Sequence, residues 1–233
     1  MLIGGLQKLS LQDYPDHVSA IIFTLGCNFR CHFCYTPQLV VPQKDYSLIS
    51  EDSLFGFLNK RIKKLDSVVI TGGEPTLHSD LPEFIKRIRA LGYLIKLDTN
   101  GTNPEMLQDL IDPEASGLIN YIAMDIKAPL EKYQEVTGVN LSLVNMEKSI
   151  ILIRESNISY EFRSTIMPQF HNEEDIKKMG ELIKGADKWY LQKFQPLKNL
   201  VNKNFSQQKP YTDKEMEQLC AIAKNYVKKC EIR

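Results

Sequence analysis

Two hydrophobic rhythms take turns along this chain almost from end to end. Short β-branched runs alternate with longer stretches that carry apolar residues at i, i+3 and i+4 spacing. Val18 to Thr24 reads as a first strand. Ser50 to Leu65 places Leu54, Phe55, Phe57, Leu58, Ile62 and Leu65 at helical spacing, with Ser50 as the N-cap. Ser67 to Thr71 is a second strand that runs into Gly72-Gly73. Asp80 caps a helix that Gly92 closes, with Leu81, Phe84, Ile85, Ile88 and Leu91 on one face. Tyr93 to Thr99 is a third strand, and Asn103-Pro104 opens a short helix by the N-cap and first-turn proline rule. Ile119 to Ile126 is a fourth strand, Asn145 to Glu155 a helix, and Ile158 to Met167 a fifth strand. Asn172-Glu173-Glu174-Asp175 opens the next helix with acidic residues at its positive end. Lys188 to Phe194 is a sixth strand, and Thr212 with Glu215 forms a capping box for a last helix reaching about Val227.

Six strand–helix units predict a parallel sheet. Curled, it is an α/β fold, a partial (βα)6 barrel. The reading makes residues 1–233 one domain, with its core at about 16–195 and a C-terminal loop and helix over 196–233. The polar loop Pro196 to Tyr211 is then either an ordered lid or a mobile segment. In such barrels the site lies at the C-terminal ends of the strands. The chemically interesting residues fall there. Three cysteines follow the first strand and Gly72-Gly73-Glu74-Pro75 the second; Asp98-Thr99-Asn100-Gly101 ends the third. Asp125 and Lys127 end the fourth, Arg163 lies within the fifth, and Gln195 ends the sixth.

Composition narrows the function. Of 233 residues 43% are hydrophobic, enough for a full core, and 29 basic residues balance 29 acidic ones. That balance argues against a nucleic-acid-binding surface, which shows as a basic excess. Met1-Leu2-Ile3-Gly4-Gly5 is too short for a signal peptide, and Lys8 follows at once. No apolar run reaches the roughly 18 residues of a membrane span. A cytoplasmic protein without a membrane partner is expected.

Five cysteines are an odd count, which points to metal or catalysis rather than a disulfide framework. Cys27, Cys31 and Cys34 stand at C-x3-C-x2-C spacing. Three thiolates can cover three corners of a cubic iron–sulfur cluster and leave one iron open for chemistry. A structural zinc module is the competing reading, but the triad lacks a clear fourth ligand. Cys220 and Cys230 form no ligand motif, and Cys220 reads as a small apolar packing residue in a helix. One cluster only is expected.

With Phe33 just before the third cysteine and Gly72-Gly73-Glu74-Pro75 in place, the chain resembles the radical S-adenosylmethionine (SAM) enzymes. Within them it is most similar to glycyl-radical enzyme activating enzymes of the anaerobic ribonucleoside-triphosphate reductase group. Gly5-Leu6-Gln7-Lys8, Asp13-Tyr14-Pro15, Leu97 to Gly101 and Ala123 to Pro129 carry that likeness, which spans roughly residues 3 to 195. Tyr35-Thr36-Pro37 stands where related activators often have His-Asn-Pro, and Gln195 where pyruvate formate-lyase activators tend to have histidine. The resemblance implies one 4Fe–4S cluster on Cys27, Cys31 and Cys34, and SAM on its open iron. It implies reductive cleavage to a 5′-deoxyadenosyl radical and hydrogen abstraction from a glycine of a partner enzyme. A flavodoxin- or ferredoxin-like donor would supply the electron. The alternative is a radical SAM enzyme acting on a small molecule, such as a 7-carboxy-7-deazaguanine synthase-like enzyme.

The resemblance also assigns roles. Backbone at Gly72 and Gly73 can approach the methionine moiety because neither carries a Cβ, while Glu74 orders that loop. Backbone near Phe33 and Tyr35 would meet the adenine, and Ile126, in the strand-four motif, is counted among the cofactor-binding residues. Asn100 would meet the ribose, with an Asn-Gly turn as the bland alternative. Lys127 and Arg163 would meet the SAM carboxylate or the substrate backbone, or else pair with Asp98, Asp125 or Glu161. Gln195 would bond the adenosyl group. Asp98, Thr99 and Asp125, with the Ala123 carbonyl, would hold a monovalent cation, since two near carboxylates repel without a cation or a shared proton. His32 reads as a surface residue near the cluster, and His17, His78 and His171 as structural or solvent-facing.

Overall fold

A computed structural model describes residues 1–112, 117–140 and 142–233. Eight strands form one sheet in sequence order: β1 (Ile3–Ser10), β2 (Ser19–Thr24), β3 (Ser67–Gly72), β4 (Leu94–Thr99), β5 (Tyr121–Asp125), β6 (Ser159–Ile166), β7 (Lys188–Lys193) and β8 (Lys229–Ile232). Pairing is parallel from β2 to β8, and β1 lies antiparallel on β2. The helices are α1 (Pro37–Val40), α2 (Glu51–Asn59), α3 (Leu81–Arg89), α4 (Pro104–Ile111), α5 (Tyr133–Thr137), α6 (Val144–Glu155), α7 (Glu173–Leu182) and α8 (Asp213–Ala223). The six expected strands are β2 to β7, so the partial barrel stands. The two edge strands were not expected. β1 mixes Gly-Gly with Gln7 and Lys8 and is exposed over Gln7, Lys8 and Leu9, which hides the period-2 signal. β8 has four residues, too few for a period.

Local chemistry sets the ends. Ser50 accepts a hydrogen bond from the Ser53 N–H and starts α2. That helix stops at Asn59 rather than Leu65, and Lys63 beyond it is left-handed at φ 63°. Asn103 caps α4 through the Met106 N–H, and the capping boxes of Asn172 with Asp175 and Thr212 with Glu215 both form. Asp80 makes no side-chain cap; its carboxylate pairs with the Met1 ammonium instead.

Strand periodicity sorts the two faces. Outward residues such as Ala20, Ile22, Val68, Ile70, Ile95, Leu97, Ile122 and Met124 join the helices in the main core. On the inward face Tyr14, Ile21, Val69 and Tyr121 form a second, small apolar cluster. Continuing in steps of two and following the register, that face carries Phe23, Thr71, Lys96, Asp98, Asp125, Glu161, Arg163, Thr165 and Gln192 toward the strand ends. The inward face thus turns from apolar to charged on the way to the site.

Candidate active site

The C-terminal ends of the strands surround a cavity of about 470 Å³. It is lined by Cys27, Cys31, Phe33, Cys34, Tyr35, Gly72, Gly73, Glu74, Asp98, Thr99, Asn100, Asp125, Lys127, Arg163 and Gln195. Every expected site residue is there except Ala123, whose carbonyl was expected on the cation, and Ile126. The Ile126 side chain is fully buried in the core, and its backbone is used within the fold: the N–H donates to Arg163 O and the carbonyl accepts from Ser164 Oγ. Sequence reading missed Phe23, Thr36, Thr71, Thr165, Gln192, Lys193 and Arg233, which also line the cavity. The strand residues among these could have been found by extending the inward period of each strand to its end.

The cysteine loop is held mainly by backbone. Gly26 N–H donates to Leu39 O at 2.7 Å, and Arg30 N–H to Thr137 O at 2.7 Å. Burial pushes the Cys27 thiol up to about 11 and the Cys31 thiol up to about 12. Ligation needs thiolates, so a cluster that binds here displaces protons. Among the described residues no three His, Cys, Asp or Glu converge on one ion position. A cubic cluster does not ask for that, since each cysteine binds a different iron.

Gly72 and Gly73 have a tighter reason than access to a ligand. Gly72 has φ +112°, and a Cβ there would lie 2.4 Å from the Thr24 nitrogen. A Cβ on Gly73 would lie 1.8 Å from the Gly26 carbonyl oxygen. That oxygen accepts the Glu74 N–H at 2.8 Å, while Gly73 N–H donates to Thr24 O at 2.9 Å. The two glycines clamp this loop onto the segment that carries Cys27. Glu74 orders it, as expected. Its buried carboxylate accepts from the Thr76 N–H and hydroxyl, the Thr99 hydroxyl and the Asn100 N–H at 2.6–3.1 Å. Burial works against its charge, and these four donors work for it.

The carboxylates of Asp98 and Asp125 and the Thr99 hydroxyl, expected on a cation, have side-chain partners here. Arg163 bridges the carboxylates, with NH1 3.1 Å from Asp98 Oδ2 and Nε 3.2 Å from Asp125 Oδ1. Lys127 takes the other Asp125 oxygen at 2.9 Å, and Lys96 lies 3.3 Å from Asp98 Oδ1. Thr99 gives its hydroxyl to Glu74. The repulsion that argued for a cation is answered by side chains. Burial opposes ionisation of both aspartates, yet Arg163 and Lys96 hold Asp98 below the usual carboxylate range. Lys127 and Arg163 do the same for Asp125. The ladder continues to Glu161, which meets Lys96 at 3.8 Å, Arg233 at 3.1 Å and the Tyr121 hydroxyl at 2.9 Å. Arg163→Met therefore leaves two buried carboxylates short of a partner. Unfolding at pH 7 should show a loss of about 3 kcal/mol. The gap to the parent should narrow as pH falls below about 4, where protonation removes the charges Arg163 was holding.

Asn100 does form the turn. Its side-chain Oδ1 accepts from the Thr102 N–H and hydroxyl, and its Nδ2 donates to Asn28 Oδ1 at 2.8 Å and lies 4.0 Å from Cys27 Sγ. The Pro196 to Tyr211 segment is ordered against the cysteine motif. Val201 N–H donates to Cys34 O and Asn202 N–H to His32 O. His32, read as a surface residue, is half-buried and stacks with Phe170 and Phe205 at centroid distances of 6.0 and 5.4 Å. Tyr35 Oη accepts the Gln195 N–H at 2.7 Å.

His171 is fully buried and structural. Its Nδ1 accepts the Met167 N–H at 3.2 Å, so Nε2 carries the proton and donates to Lys127 O at 2.8 Å. Burial lowers it to about 4. The unfolded chain then binds the extra proton first, and stability is lost as pH falls from about 6.5 to about 4. The loss attributable to this ring is on the order of 3 kcal/mol. Urea unfolding at pH 7.5 and pH 5 should show about 2 kcal/mol of it, and His171→Gln should flatten the slope.

A partial α/β barrel with its chemical residues gathered at the strand ends defines a broad class of enzyme. Residues 21–183 match the family described as the Radical SAM superfamily, and the chain belongs to that superfamily. Membership implies a 4Fe–4S cluster and SAM. Over 242 aligned positions the chain is 32% identical to a Methanocaldococcus jannaschii protein named "Putative glycyl-radical enzyme activating enzyme", covering 100% of this chain and 95% of that one. A shorter likeness, 37% over 84 residues, is to a 7-carboxy-7-deazaguanine synthase of Halobacterium salinarum, covering 36% of this chain and 32% of that protein. The fold matches a crystal structure of a domain of pyruvate-formate lyase-activating enzyme from Bacteroides vulgatus. The TM-score is 0.57 at 18% identity, over 72% of this chain and 99% of that domain. Among the described residues no helix is long and apolar enough to cross a membrane.

Proposed function

We propose that this radical SAM enzyme installs a glycyl radical on a partner enzyme of the anaerobic ribonucleotide reductase type. The observation that carries the reading is the convergence of Cys27, Cys31 and Cys34 with the Gly72–Glu74 loop and the Asp98–Arg163–Asp125–Lys127 ladder on one cavity. The full-length relative named as an activating enzyme adds support. The residues fit the cofactors. Three thiols on one loop line the cavity, and Arg163 and Lys127 line it too while paired with Asp98 and Asp125, so a SAM carboxylate there would have to share these cations with the two aspartates. When bound, the cluster and SAM supply a radical able to abstract hydrogen. The chain's own residues place and shield it. Gly72 and Gly73 keep the loop close to the cysteines, Phe33 and Tyr35 flank Cys34, and residues 201 and 202 tie the last loop over the motif. A flavodoxin- or ferredoxin-like protein is the proposed electron donor.

A small-molecule substrate is the second reading. It is favoured by Gln192, Lys193 and Arg233, polar groups that line the cavity beyond the residues assigned to SAM. The two readings separate by experiment. Under anaerobic conditions with SAM and a reductant, release of deoxyadenosine should be slow without a partner. It should accelerate when a glycyl-radical enzyme, or a peptide copying its glycine loop, is added. Acceleration by a pterin or other small metabolite, with deoxyadenosine stoichiometric to a modified small product, would overturn the activase reading.

A further inference from the structure

Ten positions apart in sequence, Cys220 on α8 and Cys230 on β8 place their sulfurs 3.4 Å apart. Both residues are buried, at 5% and 3% exposure, and neither lines the active-site cavity. The Cys220 thiol also lies 3.5 Å from the Cys230 carbonyl oxygen. Packing accounts for one buried cysteine in a helix. It does not account for two sulfurs in contact across the only two elements that follow the last loop. Two thiols in van der Waals contact have a chemistry that one alone lacks, oxidation to a disulfide.

We propose that Cys220 and Cys230 form a redox-active dithiol that a small-molecule disulfide of the glutathione class oxidises to an intramolecular disulfide. One cysteine thiolate attacks the small disulfide, forming a mixed disulfide and releasing one small thiolate. The second cysteine thiolate attacks the protein sulfur of that mixed disulfide and releases the other. The two cysteines lose two electrons and two protons; the small disulfide gains both and leaves as two thiols. The sulfurs need to close from 3.4 Å to about 2.05 Å. Side-chain torsion and a small slide of α8 on β8 supply that movement. Burial and the neighbouring thiol push Cys230 up, so thiolate is scarce and the exchange is slow at neutral pH. The bond fixes the strand whose end reaches the site. Three residues beyond Cys230, Arg233 donates to Glu161, stacks on Tyr190 at 3.4 Å and lines the cavity.

The test uses the cluster-loaded full chain under anaerobic conditions. Samples are equilibrated across reduced-to-oxidised glutathione ratios, starting once from fully reduced protein and once from diamide-oxidised protein. Free thiols are then trapped with maleimide and the peptides are mapped by mass. The expected oxidised form has one linked peptide pair joining residues 220 and 230, an unchanged iron content and a higher Tm than the reduced form. Cys220→Ser and Cys230→Ser should give no linked pair and no rise in Tm; Cys220→Ala replaces the serine variant if that one fails to fold. The proposal is overturned if both sulfurs react with maleimide at every ratio from both starting points. It is equally overturned if the bond that forms engages Cys27, Cys31 or Cys34 instead.

Discussion

Cys27→Ala, Cys31→Ala and Cys34→Ala should each reduce SAM cleavage to background while leaving the fold standing. Each thiolate is assigned one iron, and no spare cysteine lies near enough to substitute, since Cys220 and Cys230 contact each other elsewhere. The loop itself depends little on these side chains. Its backbone is tied to Leu39, Thr137, Val201 and Asn202, bonds that survive truncation at Cβ. The variants should therefore keep the parent's circular dichroism while losing iron and sulfide after anaerobic reconstitution. Cys220→Ala and Cys230→Ala should keep both. A cysteine variant that cleaves SAM at the parent rate would remove the cluster assignment. Iron loss from a C-terminal variant would mean that the second cysteine pair has been misplaced.

Gly73→Ala should be nearly as damaging, and for a reason that lies in the protein rather than in the ligand. The added carbon would sit 1.8 Å from the Gly26 carbonyl oxygen, far inside contact distance, and the obstacle is backbone. Either the Glu74 N–H to Gly26 O bond breaks or the Cys27 segment moves. Both outcomes displace a thiol from its two partners. The expected result is poor cluster incorporation together with a stability loss of about 3 kcal/mol or more, the scale of a misplaced buried group. Gly26→Ala is the contrast. Gly26 has φ +93° but open space around its Cβ position, so strain without collision should cost about 1 kcal/mol. If Gly73→Ala binds a full cluster and loses only SAM affinity, then the close approach that matters is to ligand and not to Gly26.

The strand–helix rhythm and the placement of chemistry at strand ends were legible because both follow from local periodicity. Five-residue β5 was found to within two residues at each end and six-residue β7 to within one. β1 and β8 were not found, because a short or glycine-bearing edge strand carries no alternation to read. The site motifs were legible as motifs, but not their reasons. Nothing in Gly72-Gly73 says that the facing wall is Gly26. Pairing of Arg163 with Asp98 or Asp125 was legible as an alternative, but not that one guanidinium, 38 residues after Asp125, bridges both carboxylates. Arg233 and the Cys220–Cys230 contact were hidden for the same reason. Each depends on β8 lying beside β7, a long-range fact. His32 was misread because its partners, Phe170 and Phe205, come from distant segments.

The central claim is that the radical made here is passed to a protein glycine. Its most direct test is electron paramagnetic resonance on a candidate glycyl-radical enzyme encoded near this chain. The candidate is incubated anaerobically with the reconstituted protein, SAM and reduced flavodoxin, once with ordinary and once with α-deuterated glycine incorporated. The expected result is a glycyl signal whose hydrogen splitting collapses on deuteration, with one deoxyadenosine formed per radical and no signal with Cys31→Ala. Vigorous SAM cleavage with no protein radical on any such candidate, coupled instead to a modified small molecule, would contradict it.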